Sequence, residues 1–222
     1  MAEQRRAAFF RVEGCLVKPP RLPAAAWLTL NGAEVSQRFT RLSSVAVAGG
    51  LKLMGTFHDQ HLLQRATWMG LRGMSDDRLA VLGEEYFDAY LRPNLLDVGR
   101  ELIEQAKRQG FMVVLLSDNI SPVMGNLLAH VPADVLLCNH LELRNGRATG
   151  RLSEPVIGGA ISGTWTRSWA SEQDVDLGAS RAYGTRHSDS MLLNLIGQPC
   201  VVNPDSGLRR LASDLDWPVV ER

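Results

Sequence analysis

The stretch Ala7-Ala8-Phe9-Phe10-Arg11-Val12-Glu13-Gly14-Cys15-Leu16-Val17 decides how the fold is interpreted. Its first four residues are apolar, which predicts a short buried strand over residues 7–10. Gly14 and the prolines at positions 19, 20 and 23 then interrupt regular structure. We therefore expect one buried strand that leads into a loop carrying two charged side chains, Arg11 and Glu13.

The residues that follow this loop have a helical pattern with few strand signals. Apolar residues recur at helical spacing over 62–69 and again over 79–90. From residue 93 onward, apolar strands alternate with amphipathic helices, which indicates a parallel sheet with helices on both faces. We predict an α/β core formed by residues 1–18 and 93–222. Residues 19–92 are predicted to be an all-helical cap inserted after the first strand.

The core elements can be placed along the chain from local signals. Continuous apolar runs predict buried strands, Ser121-Pro122 predicts a helix with Ser121 as N-cap, and Asn145-Gly146 predicts a tight hairpin turn. The predicted strands are Met112–Leu116, Val135–Cys138, Arg181–Tyr183 and Cys200–Val202, and the later helices span Asp189–Ile196 and 206–215. Ligands bind at the carboxyl edge of such sheets, so the cap is expected to cover that edge.

Composition excludes several classes of function. The chain has 222 residues, and 24 Lys and Arg balance 24 Asp and Glu, so no basic excess is available for nucleic acid. Three cysteines, at positions 15, 138 and 200, are too few for a disulfide scaffold and fit a reducing cytoplasm. We expect a cytoplasmic protein without a signal peptide, because residues 1–6 are polar, and without a membrane span, because no apolar run reaches ~18 residues.

Five segments together resemble the haloacid dehalogenase (HAD) superfamily, in its phosphoserine-phosphatase-like branch. Residues 7–17 are similar to its first motif and Val113–Ser117 to its second. Residues 149–152 resemble the hairpin before the third motif, 183–193 resemble the fourth motif, and 203–219 resemble the C-terminal signature of the branch. The resemblance implies a Rossmannoid three-layer α/β/α core with a helical cap of the C1 type. It also implies Mg²⁺-dependent hydrolysis of phosphomonoesters.

The groups that this chemistry requires are largely missing. In the superfamily, the first motif supplies an Asp nucleophile and an Asp general acid and base. Arg11 and Glu13 stand at those positions, and a guanidinium has no lone pair with which to attack phosphorus. Ser162 aligns with the Lys of the third motif and Thr185 with an Asp of the fourth. Of the expected residues, Ser117 and Asp189 are retained.

The family's metal site is also expected to be lost. Mg²⁺ prefers hard oxygen ligands, and two of its carboxylate positions are Arg11 and Thr185. A guanidinium ~4 Å from a divalent ion would cost about 8 kcal/mol at an effective dielectric constant of ~20. We therefore predict no metal and no cofactor, with Mg²⁺ needed only if the chain is a divergent enzyme.

Two uses remain for the residues of the expected cleft. Arg11 can form an internal network with Glu13 and Asp189 that fills the former metal site. Alternatively, Arg11 and Arg186, with backbone N–H groups after Glu13 and Ser117, could hold a phosphorylated ligand without hydrolysing it. The candidate ligand-binding residues are Arg11, Glu13, Ser117, Arg186 and Asp189.

Other patterns are weaker. His58 and His61 share a helix face but have no third metal ligand nearby, and Cys138 and Cys15 fit core packing better than catalysis. The apolar segment 45–57 is either cap core or a partner surface. Trp165 and Trp169 lie on one helix face, where they could plug the site or pack on the sheet.

These observations favour a catalytically inactive pseudophosphatase. Such a protein would bind, scaffold or regulate, either through a protein partner or homodimer or through a phosphorylated small molecule. The alternative is a divergent Mg²⁺-dependent phosphomonoesterase in which Glu13 and Asp189 serve. Nucleic acid and a membrane span are not expected.

Overall fold

The computed structural model describes residues 4–32, 67–158 and 161–221. Within them, six parallel strands form one sheet. These strands are β1 (Ala7–Arg11), β2 (Met112–Ile120), β3 (Val135–Asn139), β6 (Arg181–Gly184), β7 (Gln198–Val202) and β8 (Val219–Val220). Their order across the sheet is β3-β2-β1-β6-β7-β8. A separate antiparallel hairpin pairs β4 (Leu141–Arg144) with β5 (Arg147–Leu152).

Helices cover both faces of the sheet. They are α1 (Ala24–Gly32), α2 (Asp76–Tyr86), α3 (Asp97–Arg108), α4 (Ser121–Met124), α5 (Ile161–Glu172), α6 (Ser190–Leu195) and α7 (Ser206–Asp214). Successive side chains of a strand point to opposite faces. Accordingly Phe10 and Leu115 enter the core beneath α3, whereas Phe9 and Leu116 enter the core beneath α5, α6 and α7. The predicted three-layer α/β/α fold with a parallel sheet is confirmed.

The predicted elements lie where the structure has them, with several differences in their bounds. β2 continues four residues beyond its predicted end, to Ile120, and β7 begins two residues before its predicted start, at Gln198. Ser121 is the first residue of α4 rather than its N-cap, because Ile120 still has extended backbone angles (φ −100°, ψ 154°). The helix predicted from Asp189 begins with a 3₁₀ turn, His187–Asp189, before α6. The two-residue strand β8 has no counterpart in the prediction, since Val219 and Val220 are too short a run to signal a strand.

The described part of the predicted cap is helical, and it contacts the core in two places. A loop before α2 binds the β4–β5 hairpin: Gly73 N–H donates to Ala148 O at 2.7 Å, and Ala148 N–H donates to Met74 O at 2.8 Å. The Asn145-Gly146 turn of that hairpin has the positive φ angles, 50° and 69°, that the sequence predicts. On the other side, α2 packs on α4. The boundaries 18/19 and 92/93 remain predictions.

The contact between α2 and α4 requires a glycine. A Cβ atom at Gly83 would lie 2.1 Å from the carbonyl oxygen of Pro122, which belongs to backbone and cannot swing away. We expect Gly83→Ala to lower the free energy of unfolding by about 1–3 kcal/mol, because the two helices must separate. Urea unfolding followed by circular dichroism measures this change.

Gly125→Ala is the matched control for this prediction. Gly125 follows α4 with helical angles (φ −54°, ψ −36°), and a Cβ there meets nothing within 4 Å. We expect this variant to be unchanged or about 0.4–1 kcal/mol more stable. Equal stability of the two variants would mean that α2 does not pack closely on α4.

Candidate functional site

The carboxyl end of β1 carries a buried arginine held by two carboxylates. Arg11 is the last residue of β1, and its side chain is 2% exposed. Its Nη2 donates to Asp118 Oδ1 at 2.6 Å, and its Nε lies 3.1 Å from Asp189 Oδ1. Asp118 comes from the end of β2 and Asp189 from the loop after β6. The neighbours of β1 in the sheet therefore supply both charges that pair with Arg11.

Glu13 is the third carboxylate of this cluster. Its Oε2 lies 3.6 Å from Arg11 Nη2, and its Oε1 accepts a hydrogen bond from the hydroxyl of Ser117. The Glu13 side chain is 19% exposed and that of Asp118 is 24% exposed, so both lie on the solvent side of the cluster, whereas Arg11 and Asp189 are buried. We call Arg11, Glu13, Ser117, Asp118 and Asp189 the Arg11 cluster.

Asp189 also fixes the loop after β6. Its Oδ2 accepts the backbone N–H groups of Thr185 and Arg186, each at 3.0 Å. Thr185 itself donates its hydroxyl to Asn203 O at 3.1 Å and packs against Gly14. Gly14 has φ +96°, and a Cβ there would lie 2.4 Å from Thr185 Cγ2, so only glycine fits. The loop after β1 and the loop after β6 are thus packed against each other.

Burial and mutual charge set the protonation of the cluster. Burial alone would lower the pKa of Arg11, but Asp118, Asp189 and Glu13 outweigh burial and hold that pKa above its ordinary value. Burial raises the pKa of Glu13, and Arg11 only partly offsets this effect. The folded protein therefore holds a proton on Glu13 more tightly than the unfolded chain does, since Arg11 is already paired with two better-placed carboxylates.

The raised pKa of Glu13 gives a prediction about pH. The folded protein holds this proton more tightly than the unfolded chain does, so the contribution of Glu13 to stability is complete below its ordinary pKa. It is lost as pH rises through the folded pKa. We expect Glu13→Gln, which keeps an oxygen for Ser117, to gain stability relative to the natural protein as pH rises above the ordinary pKa of glutamate. Urea unfolding at several pH values measures this difference.

Glu142→Gln is the control for the sign of this effect. A hydrogen bond from Thr149 and the neighbouring Arg144 lower the pKa of Glu142, so its ionised form contributes stability above its ordinary pKa. We expect the stability deficit of this variant relative to the natural protein to be complete above the ordinary pKa of Glu142 and to shrink as pH falls below it. A Glu13→Gln variant with the same pH dependence as Glu142→Gln would contradict the raised pKa of Glu13.

Some buried polar atoms of the site lack hydrogen-bond partners. Within the described residues these atoms are Nε and Nη1 of Arg11, Oε2 of Glu13 and Oγ of Ser162. Ser162 lies in the first turn of α5 and is 1% exposed.

The Arg11 cluster has one guanidinium for two or three ionised carboxylates, so its net charge is not positive. This balance opposes the binding of an anion beside Arg11.

The cluster does not fit Mg²⁺ as it stands. The oxygen atoms that could ligate a divalent ion already surround the Arg11 guanidinium at 2.6, 3.1 and 3.6 Å. In the part of the chain that the structure describes, no group of three or more acidic, His or Cys side chains is arranged to hold a metal. A divalent ion and Arg11 would repel each other at this distance.

The structure brings most of the predicted site residues together. Arg11, Glu13, Ser117 and Asp189 lie in one cluster, as expected. Arg186 contributes its backbone N–H, and among the described residues its guanidinium makes no ion pair with the cluster. The amide after Glu13, offered for a phosphate, already donates to Val17 O at 2.8 Å. Whether any of these residues binds a ligand remains a prediction.

Asp118 is the residue that the sequence analysis missed as a partner of Arg11. It directly follows Ser117, and β2 runs parallel to β1 with Arg11 beside Leu116. Part of the signal was available in the sequence, because a carboxylate directly after the second motif is expected at the same sheet edge as Arg11, although its distance from Arg11 is not. The predicted site had paired Arg11 with Glu13 and Asp189 alone.

The other candidates have structural roles or lie outside the described residues. Trp169 packs edge-on against Phe9 with ring centres 6.0 Å apart, so it packs on the sheet instead of plugging the site. Burial raises the pKa of the Cys15 thiol well above its usual range and that of Cys138 to about 12, which makes both poor nucleophiles. His58, His61 and segment 45–57 lie outside the described residues. No described helix has the length and hydropathy needed to cross a membrane.

Known proteins similar to this chain point to one family. The sequence profile described as haloacid dehalogenase-like hydrolase matches residues 23–194. The phosphoserine phosphatase SerB1 of Mycobacterium tuberculosis is 28% identical over 149 residues, which cover 67% of this chain and 48% of that protein. The chain therefore matches about half the length of that relative.

Two further similarities cover nearly the whole chain. The inhibition of morphological differentiation protein of Streptomyces azureus is 26% identical, over 98% of this chain and 78% of that protein. A solved structure of a protein of unknown function from Bordetella pertussis Tohama I superposes with a TM-score of 0.84 at 21% identity. That superposition covers 98% of this chain and 99% of the other.

Proposed function

The chain belongs to the haloacid dehalogenase-like hydrolase family, and we propose that it is a non-catalytic member of the phosphoserine-phosphatase-like branch of that family. In this proposal the protein keeps the phosphatase fold but acts as a binding, scaffolding or regulatory protein. Its partner is a protein or a second copy of the chain.

The observation that carries the proposal is the buried Arg11 at the end of β1. This side chain stands at the position where the family has its nucleophile, and it is 2% exposed between Asp118 and Asp189. A guanidinium stays protonated and has no lone pair to offer phosphorus. Removal of a covalent nucleophile alone can cost on the order of 10⁶ in rate. The missing third-motif Lys, with Ser162 in its place, removes a further stabilising charge.

A phosphorylated ligand beside Arg11 is the less favoured form of this proposal. A phosphate beside Arg11 would have to approach a guanidinium that two or three carboxylates already surround, and those carboxylates repel an anion. Arg11 already pairs with Asp118 and Asp189. The third-motif Lys that would neutralise a phosphate is replaced by Ser162, and the nearest cation to it in sequence, Arg167, is exposed. A protein partner requires no positive charge at the cluster, so it is the form that we adopt.

One observation supports a second candidate, a divergent phosphomonoesterase. Burial raises the pKa of Glu13, the direction that suits a general acid, and Asp118 is a partly exposed carboxylate at the same sheet edge. In that case Asp118 would have to attack phosphorus while paired with Arg11. Pairing with a guanidinium stabilises the carboxylate and lowers its nucleophilicity, so we rank this candidate second.

A phosphatase assay on a broad phosphomonoester panel, phosphoserine included, tests the proposal. The natural protein is expected to release no phosphate above background, with or without Mg²⁺. Asp118→Asn, made and purified in parallel, is the control. Turnover by the natural protein that Asp118→Asn loses would overturn the proposal in favour of the second candidate. Equal turnover by both proteins would indicate a contaminating phosphatase or a nucleophile other than Asp118, and a repeat from a second expression host distinguishes the two.

A further inference from the structure

The Arg11 cluster places three carboxylates around one cation, the Arg11 guanidinium, and around that guanidinium the described carboxylates are not arranged to hold a metal ion. Glu13, Asp118 and Asp189 come from three separate segments of the chain, namely the loop after β1, the end of β2 and the loop after β6. Their oxygen atoms lie 3.6, 2.6 and 3.1 Å from nitrogen atoms of one guanidinium. Carboxylate oxygens that converge from separate segments are typical ligands of hard divalent cations.

The side chain among these oxygens is buried and only partly bonded. Arg11 is 2% exposed, and its Nε and Nη1 have no hydrogen-bond acceptor in the described part of the protein. Its Nη2 donates to Asp118, and its Nε lies close to Asp189 without a well-aligned hydrogen bond. Arg11 therefore stabilises the carboxylates mainly through its positive charge and only partly through directed hydrogen bonds. A positive charge is also what a bound metal ion would contribute at this place.

We propose that Glu13, Asp118 and Asp189 form a cation site whose resident cation is the Arg11 guanidinium, so that Arg11 and a divalent metal ion exclude each other. The natural protein then takes no Mg²⁺ or Mn²⁺ at this site. Removal of the guanidinium opens the site to either ion. The inference concerns cation binding, and its tests measure metal binding and thermal unfolding instead of phosphate release.

The Arg11 guanidinium is favoured over a divalent metal ion because it is covalently attached to the chain. Arg11 is part of β1, whose backbone pairs with both β2 and β6, so its charge is held at the cluster at all times. A divalent ion would have to enter within about 4 Å of that charge, and the repulsion in a partly buried site is strong. Asp118, the best-placed partner of Arg11, is available to a metal only when the guanidinium is gone.

Metal titration of the natural protein and of Arg11→Ala tests this inference. Isothermal titration with Mg²⁺, and electron paramagnetic resonance of Mn²⁺, are expected to detect no binding to the natural protein. Arg11→Ala is expected to bind Mn²⁺ at least about 100-fold more tightly, because the competing charge is gone. Arg11→Ala with Asp118→Asn should lose that gain. Arg181→Ala is the matched control, since Arg181 is held by Gln109 and Gln198 instead of carboxylates.

Thermal unfolding keeps the test decisive even if Arg11→Ala folds poorly. Mg²⁺ in place of EDTA should raise the midpoint of Arg11→Ala, or of Arg11→Gln, and leave the natural protein unchanged. A metal-dependent midpoint in the natural protein, abolished by Asp118→Asn, would overturn the inference. So would a folded Arg11→Gln variant that binds no metal. Both outcomes are distinct from phosphate release, which bears on the proposed function.

Discussion

Replacement of Arg11 by methionine is expected to lower the free energy of unfolding by about 3–5 kcal/mol. Methionine fills a similar volume, so packing changes little, but two carboxylates lose their counter-ion. Asp189 is 2% exposed, so its charge cannot be hydrated without opening the loop after β6. The cost arises from leaving a buried charge unpaired, a larger penalty than the net gain from forming such a pair.

Urea unfolding of Arg11→Met beside Arg181→Met measures this cost. Arg181 donates to Gln109 and Gln198 and is partly exposed, so its replacement should change stability by no more than about 1 kcal/mol. A loss at Arg11 no larger than the loss at Arg181 would show that the guanidinium does not neutralise the cluster. Addition of Asp118→Asn to Arg11→Met should recover part of the loss, because one of the unpaired charges is removed.

The second large effect is expected at Asp189. Its Oδ2 accepts two backbone N–H groups while its Oδ1 faces Arg11 Nε. In Asp189→Asn, one oxygen becomes an NH₂ group, so a donor faces a donor on one side whichever way the amide turns. We expect a loss of about 3 kcal/mol, since a buried charged partner and a hydrogen-bond acceptor are lost together.

Asp205→Asn separates this effect from ordinary loop capping. Asp205 also accepts two backbone N–H groups, from His187 and Leu208, but it is exposed and caps α7. Asparagine caps the helix about as well as aspartate, and water can replace the acceptor that the amide lacks at this exposed position, so this variant should lose no more than about 1 kcal/mol. Similar urea midpoints for Asp189→Asn and Asp205→Asn would contradict the role assigned to the buried ion pair.

The sheet could be predicted from the sequence because its strands are nearly continuous apolar runs. Residues 7–10 and Met112–Leu116 are buried on both faces of a parallel sheet, so neither needs an alternating pattern. The hairpin turn could be predicted as well, since Asn145 and Gly146 both tolerate positive φ. The order of motifs along the chain then identified the fold family correctly.

The candidate site was harder to predict because it depends on distances between segments. The expectation that Arg11 faces carboxylates follows from its position at a strand end, and it agrees with the structure. The choice of Asp118 as its nearest partner depends on the register between β1 and β2, which a single sequence does not specify. The amide of Gly14 was expected to be open to a ligand. In the structure it donates to Val17 O, and the sequence gives no sign of the local turn that this hydrogen bond closes.

The most direct test of the account is a search for a phosphorylated protein intermediate. The natural protein, incubated with Mg²⁺ and either p-nitrophenyl phosphate or acetyl phosphate, is acid-quenched and examined by intact-protein mass spectrometry. A chain with Arg11 in the nucleophile position is expected to gain no phosphoryl mass at any time point. A phosphoryl group on Asp118 or Glu13, found by peptide mapping, would contradict the account, because another carboxylate would then attack phosphorus.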